Sequence, residues 1–248
     1  AETLLFHILG NVLQNSEITP ELVSLLQTLY KEKKLDARFL IHTLRVSNKE
    51  TVLSYLPALV SISSHKLVAT AMYSILGAKP SEDTLSPVEL LVQLHILNSK
   101  TKKEHNIDLK KQVRVIELCL TTIEDKADLG VVLQQLSEIT PIPRIFLRTM
   151  ISGYKKFPDL EDFILELLSN LVTKQVWKTS DCWDGFIKCC ELLRPRSFGI
   201  LLQLPPTVLK EALTACSAQF KQDMLKYCSG IERAKIPKQL VPVLNELK

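Results

Sequence analysis

The feature of this sequence that most constrains its fold is an apolar spacing of helical period, which recurs along nearly the whole chain. Leucines fall three and four residues apart, as at Leu22, Leu25, Leu26 and Leu29, and no segment keeps the strict alternation of a strand. Only 7 glycines occur among 248 residues, which is few for a protein built on glycine-rich loops. The pattern therefore predicts an all-α protein.

A capping residue followed by proline precedes several periodic segments, as at Thr19–Pro20, Ser86–Pro87 and Thr140–Pro141. Proline suits the first helical position because the amide hydrogen that it lacks would have no partner there. The predicted helices are 3–14, 20–31, 36–46, 48–62, 65–77, 87–98, 109–122, 126–138, 141–156, 160–177, 181–193, 195–203, 206–216, 218–228 and 237–247. Short turns favour antiparallel neighbours, so we expect an irregular superhelix of HEAT- or armadillo-like helical repeats.

Two stretches interrupt the helical pattern. Gly77–Ser86 carries glycine, proline and acidic residues, and Ser99–Asp108 is polar and rich in lysine, so both are predicted to be loops. The first loop separates N-terminal helical repeats at 1–77 from a second set at 86–248. We expect the two sets to form one continuous superhelix.

Charge and cysteine usage narrow the function classes. The net charge is +4 and the pI about 8.7, which is too weak a field to indicate a nucleic-acid binder from the whole chain. The apolar runs are far shorter than the roughly 20 residues of a membrane helix, so no membrane span is predicted. The six cysteines form no CxxC pair, which argues against a metal site and favours a reducing compartment.

Catalytic motifs are missing from the sequence. The five histidines all lie in the first 105 residues, and each is expected on a polar face or at a helix end. The sequence has no phosphate-binding loop, no nucleophile elbow and no HExxH pair. We therefore predict that the protein is not an enzyme and needs no cofactor.

The segment from Thr140 to Pro206 carries the most specific pattern. Arg144, Arg148, Ser152 and Lys155 recur on one helical face and are called the basic stripe here. Between Pro141 and Pro158 there is no acidic residue, so nothing within that helix can neutralise the stripe. The stripe indicates an acidic partner or an acidic neighbouring helix, and a hydrated polar face is the alternative.

Both tryptophans lie in the same segment. Trp183 shares helical spacing with Phe186, Ile187 and Cys190 and should face the core. Trp177 stands between Lys174 and Lys178, where it either packs on the turn or anchors an interface. Stacking of a nucleobase on Trp177 is a further alternative, although single-strand binders usually present several aromatic residues together.

Several sequence segments resemble those of the symplekin C-terminal family. They are VVLQQL at Val131–Leu136, TPIPRIFLRTMI at Thr140–Ile151, TKQVWK at Thr173–Lys178, WDGFIKCC at Trp183–Cys190 and RPRSFGILLQLPP at Arg194–Pro206. A looser likeness extends back over Ser86–Cys119 and forward to Ile236–Leu244, and residues 1–77 rest on the helical pattern alone.

The resemblance implies a non-catalytic, nuclear scaffold of pre-mRNA 3′-end processing, for polyadenylated and for histone transcripts. Members of the family hold together the endonuclease subunit of the cleavage and polyadenylation specificity factor and its inactive relative, and they contact the cleavage stimulation factor. The resemblance implies that the chain contacts RNA only indirectly, through its partners. The candidate partner-binding residues are Arg144, Arg148, Lys155, Lys174, Trp177 and Lys178. The alternative function is direct RNA binding through the basic stripe.

Overall fold

The computed structural model describes residues 18–33, 36–97, 99–230 and 236–245. All regular elements in these ranges are helices, and none is a strand, which confirms the all-α prediction. The predicted helix at 3–14 lies outside the described residues. In the described ranges no helix has both the length and the hydropathy needed to cross a bilayer.

The chain divides into two compact units between Asp128 and Leu129. The α-helices that begin in the first unit are α1 (Pro20–Lys33), α2 (Lys49–Ser61), α3 (His65–Leu76), α4 (Pro87–His95), α5 (Ser99–Glu104), α6 (Leu109–Thr122) and α7 (Lys126–Glu138), which continues into the second unit. Short 3-10 helices at Ala37–His42 and Leu44–Val46 join α1 to α2. The predicted division into 1–77 and 86–248 stays a prediction.

Local capping and long-range hydrogen bonds fix the helix ends of the first unit. Ser86 and Glu89 form a reciprocal capping box at the start of α4. At the other end of α4, Gln112 Nε2 of α6 donates a hydrogen bond to the Leu94 carbonyl at 2.6 Å. Arg114 of α6 donates to the Ile62 carbonyl at 3.2 Å, just beyond α2. These bonds give partners to carbonyls that a helix end leaves unpaired.

The second unit contains α8 (Phe146–Lys156), α9 (Glu161–Thr173), α10 (Ser180–Leu192), α11 (Phe198–Leu201), α12 (Pro206–Ala215), α13 (Ala218–Gly230) and α14 (Val241–Asn245). Its 3-10 helices are Pro158–Leu160, Val176–Lys178 and Lys238–Leu240.

Glycine contacts bring three helices of this unit close together. A Cβ atom on Gly185 of α10 would lie 2.8 Å from Leu147 Cβ of α8, and one on Gly153 of α8 would lie 2.8 Å from Leu129 Cδ2 of α7. The end of α8 thus meets the start of α7, so that pair is antiparallel. The Cys182 thiol lies against the Ile142 carbonyl and Gly185 against Leu147, so α8 and α10 run in the same direction. Alternate helices that run parallel are typical of helical repeats.

Large apolar side chains fill the core of the second unit. Phe146, Phe186, Phe198 and Phe220 are fully buried. Phe198 and Phe220 meet edge to face with their ring centroids 5.1 Å apart. Trp183 is 8% exposed and stacks on Phe186 at 5.4 Å, which confirms that it faces the core.

Two predicted helices extend too far in the sequence reading. The helix predicted at 141–156 begins only at Phe146, because Pro143 disfavours helical backbone at the preceding Ile142. The helix predicted at 160–177 ends at Thr173, since Gln175 adopts a left-handed conformation with φ 57° and Val176–Lys178 form a separate 3-10 turn.

Four other segments also differ from the sequence prediction. The region 36–46 forms two 3-10 helices, 195–203 shortens to the four residues of α11, and 237–247 is divided between Lys238–Leu240 and α14. Ser99–Glu104 is helical although it was predicted to be a loop. This short helix has no apolar periodicity, so no sequence pattern indicated it.

Candidate partner-binding surface

The basic stripe begins in the turn before α8. Arg144 points to the first turn of α10, where its Nε lies 2.9 Å from Asp181 Oδ2 and its Nη2 donates to Oδ1 at 3.0 Å. This two-point contact supplies the acidic neighbouring helix that the stripe indicated, at least for Arg144. Both side chains are about half exposed, so the pair contributes only about 0–1 kcal/mol to stability.

The rest of the stripe lies on α8 itself. The side chains of Arg148 and Lys155 are exposed, and Ser152 between them is half-buried. Arg148 and Lys155 are seven positions apart, which corresponds to about 10 Å along a helix axis. Lys155 and Lys156 occupy the last turn, where positive charge interacts favourably with the helix dipole. The stripe therefore presents cations along the full length of α8.

The opposite face of α8 holds the stripe in place. Phe146 and Met150 are fully buried, and Leu147 and Gly153 form the close contacts with α10 and α7. The Cys189 thiol of α10 also lies 3.7 Å from the Leu147 carbonyl. Because helix α8 is packed on two sides at this short range, its outer face is fixed relative to α7 and α10.

The second group of candidate residues comprises Lys174, Trp177 and Lys178, and both of its lysines are exposed. The Lys174 ammonium donates a hydrogen bond to the Ser137 carbonyl at the end of α7, at 2.5 Å. Lys174 is thus occupied within the fold. Trp177 is half-buried in the turn Val176–Lys178, and Lys178 is exposed. The role of Trp177 as an interface anchor stays a prediction.

The structure brings only some of the candidate residues together. Lys178 precedes α10 by two residues, and Asp181, the partner of Arg144, lies in the first turn of α10. Arg144 and Lys178 therefore both lie near the N-terminus of α10. Lys155 lies at the far end of α8, and Lys174 is directed towards α7.

The sequence analysis missed a charged cluster at the start of α9. Glu161 and Asp162 lie in the first turn of α9, and Arg196 pairs with both of them. The hydrogen bond to Asp162 raises the pKa of the Arg196 guanidinium. Arg196 comes from the turn between α10 and α11, and only the tertiary fold reveals this pairing.

Burial shields most of the thiols from solvent. All six cysteines are free, and five of them are buried. Burial raises the pKa of Cys189 to about 12, so this thiol stays protonated at neutral pH. Over the described ranges, no group of three or more His, Cys, Asp and Glu side chains is placed to hold a metal ion.

One histidine lies at a helix end, as expected, but is buried there. His95 is the last residue of α4, and its Nδ1 lies 2.7 Å from the Leu91 carbonyl one turn earlier. Burial lowers the pKa of His95 to about 4, so the ring is neutral at physiological pH. His95 serves the core of the first unit.

Comparison with known proteins adds a family assignment to this geometry. The family model described as "Symplekin tight junction protein C terminal" matches residues 36–216, which is well over half of the chain. The match includes the basic stripe, the turn with Trp177 and all of α10, and it stops before α13. No solved structure matches the chain.

Proposed function

The chain belongs to the symplekin C-terminal family, and from this premise we propose that it is a non-catalytic scaffold domain of the pre-mRNA 3′-end cleavage and polyadenylation machinery. In this role it acts in the nucleus and serves both polyadenylated and histone transcripts. The observation that carries the proposal is the family match over residues 36–216. Packed helices that fix a charged outer face give such a scaffold its physical basis.

We propose the nuclease-like subunits of the cleavage and polyadenylation specificity factor as direct partners, namely the endonuclease and its inactive relative. The cleavage stimulation factor is a further partner. In this mechanism the nuclease chemistry belongs to the partner, and this chain contributes a rigid surface. A rigid surface lowers the entropy that is lost when a complex forms.

The basic stripe is the proposed contact surface, together with Trp177 and Lys178. Arg148 and Lys155 are exposed on a helix whose other face is tightly packed. Arg144 already pairs with Asp181. In the complex, an acidic group of the partner replaces Asp181 as the partner of Arg144. Lys174 is exposed beside this surface, and its ammonium group donates to the Ser137 carbonyl at the end of α7.

The test is co-purification of this chain with the C-terminal domains of the two nuclease-like subunits. In the double variant Arg144→Glu and Arg148→Glu we expect binding to fall at least tenfold, because juxtaposed like charges cost several kcal/mol. The melting temperature should stay within about 2 °C of the parent, since the Arg144 pair is exposed.

The matched control reverses two basic residues of the same unit that lie outside the stripe. Lys210→Glu with Lys221→Glu makes the same change in net charge on α12 and α13. This control should bind the subunits as the parent does. Equal loss in both double variants would reduce the stripe to a general charge effect, and unchanged binding in the stripe variant would remove it as the contact surface.

Direct RNA binding through the basic stripe is the alternative function. The half-buried Trp177 with Lys178 beside it is the feature that favours this alternative. A salt titration separates the two functions, because each phosphate contact makes affinity fall more steeply with salt. Tight RNA binding with a steep salt slope, lost in the stripe variant, would support the alternative.

A further inference from the structure

A second surface of the C-terminal unit is independent of the basic stripe. It is an open groove of about 630 Å³ between the turn Arg194–Pro195, helix α11 and helix α13, and it is called the α11–α13 groove here. It shares no lining residue with the stripe. Its α13 wall lies beyond the residues that the family model matches.

The floor of the groove is apolar and aromatic. Pro195, Phe198 and Tyr227 line it, and the rings of Phe198 and Tyr227 are 5.4 Å apart. Phe198 is fully buried and backed by Phe220, so the floor is rigid. A surface of this size accommodates one large apolar side chain and its neighbours in a peptide rather than a folded domain.

The rim of the groove carries two cations and one carboxylate, from Arg194, Lys226 and Asp223. The carboxylate is already engaged, because Asp223 Oδ2 lies 3.5 Å from Arg194 Nε and Oδ1 accepts a hydrogen bond from Gln219 at 2.9 Å. Lys226 is exposed, and no carboxylate within the described part of the chain pairs with it. Among the lining residues that the structure describes, the rim therefore has a net positive charge.

From this combination we propose that the α11–α13 groove binds a short peptide segment of a partner, in which an apolar or aromatic anchor is flanked by acidic residues. The anchor packs on Pro195 and Tyr227, which the buried Phe198 supports from behind, and the acidic flank meets Lys226 and the outer nitrogens of Arg194. In such grooves the buried anchor supplies most of the affinity, and the charged flank adds specificity. The proposal does not depend on the proposed function.

One position in the groove accepts a blocking side chain without a steric clash. Gly230 lines its mouth, and a Cβ atom at that position would meet no atom within 4 Å. Gly230→Glu therefore introduces a bulky negative side chain without disturbing the core. Gly130 in α7 is equally open and lies outside the groove, so Gly130→Glu is the matched control.

The experiment measures fluorescence anisotropy of a labelled peptide EEDFEED with the full chain. Two comparison peptides are EEDGEED, which lacks the anchor, and KKRFKKR, which reverses the charges. We expect saturable binding of the first peptide below about 1 mM and at least tenfold weaker binding of the other two. Gly230→Glu and Lys226→Glu should each weaken binding at least fivefold, whereas Gly130→Glu and Lys221→Glu should leave it within twofold.

Three results would overturn the proposal. The first is no saturable binding of EEDFEED at about 1 mM, and the second is equal binding of EEDGEED, which would reduce the interaction to bulk charge. The third is unchanged binding in the Gly230→Glu variant, which would place the peptide elsewhere. No nuclease-like subunit enters this assay, so its failure is distinguishable from failure of the scaffold function.

Discussion

The contact between α8 and α10 makes a specific prediction for Gly185→Ala. Glycine to alanine in a helix normally stabilises by up to about 1 kcal/mol, because alanine has the higher helix propensity. At Gly185 the new methyl group would lie 2.8 Å from Leu147 Cβ and 3.3 Å from Leu147 Cδ1. Leu147 Cβ is bonded directly to the backbone of α8, so a change of rotamer cannot move it away.

The two helices must therefore separate to restore an ordinary van der Waals distance. Overpacking of this kind costs about 1–3 kcal/mol, which exceeds the gain in propensity. We expect Gly185→Ala to lower the free energy of unfolding by about 1–2 kcal/mol and the melting temperature by roughly 3–6 °C. Thermal unfolding followed by circular dichroism measures both the loss and the retained helix content.

Two other glycine-to-alanine variants serve as references for the stability change at Gly185. Gly130→Ala meets no atom and should stabilise by about 0.5–1 kcal/mol. Gly153→Ala meets a terminal methyl of Leu129 at 2.8 Å, which can rotate, so its effect should fall between the other two. An unchanged or raised melting temperature for Gly185→Ala would refute the tight packing of α8 on α10.

Three further predictions concern buried groups. Trp183→Ala should destabilise by about 3–5 kcal/mol, because it removes a buried ring that stacks on Phe186; an unchanged melting temperature would contradict its burial. Folding lowers the pKa of His95 to about 4, so the unfolded chain binds a proton there more readily than the folded chain. The free energy of unfolding should therefore fall by about 3 kcal/mol between pH 6.5 and pH 4. Urea titrations of His95→Gln should show a shallower dependence on pH. Ellman's reagent at pH 8 should modify the half-buried Cys228 before Cys119 and Cys189, whose pKa values burial raises to about 12; equal rates would refute the ordering.

Local signals were sufficient where a helix is defined by its own residues. The bounds of α6 and α7 were predicted to the residue, since Asp108 caps the first and a clear apolar face marks both. The Trp183 face was also predictable, because its periodicity and its burial agree. The stretches that resemble the family most closely, from Val131 to Pro206, lie inside the matched range 36–216, so the fold class and the family were both accessible from sequence. The match also covers 36–77, where the sequence analysis found only a helical pattern, and it stops before the looser likeness at Ile236–Leu244.

Tertiary contacts determine the features that sequence reasoning missed. The pairing of Arg144 with Asp181 joins residues 37 positions apart, and Arg196 reaches Asp162 across 34 positions. The same holds for Lys174, whose partner is a backbone carbonyl that carries no sequence signal. The α11–α13 groove exists only because α13 packs against Phe198, and no local pattern indicates which helix covers that ring.

The contact between Phe198 and Phe220 also bears on where this domain ends. The family match stops at residue 216, yet α13 inserts the fully buried Phe220 and Met224 into the core that Phe198 belongs to. A chain truncated at the end of the matched range would expose Phe198 to solvent and remove one wall of its unit. The limit of recognisable sequence and the limit of cooperative folding are therefore different positions in this protein, and only the second is a safe place to cut.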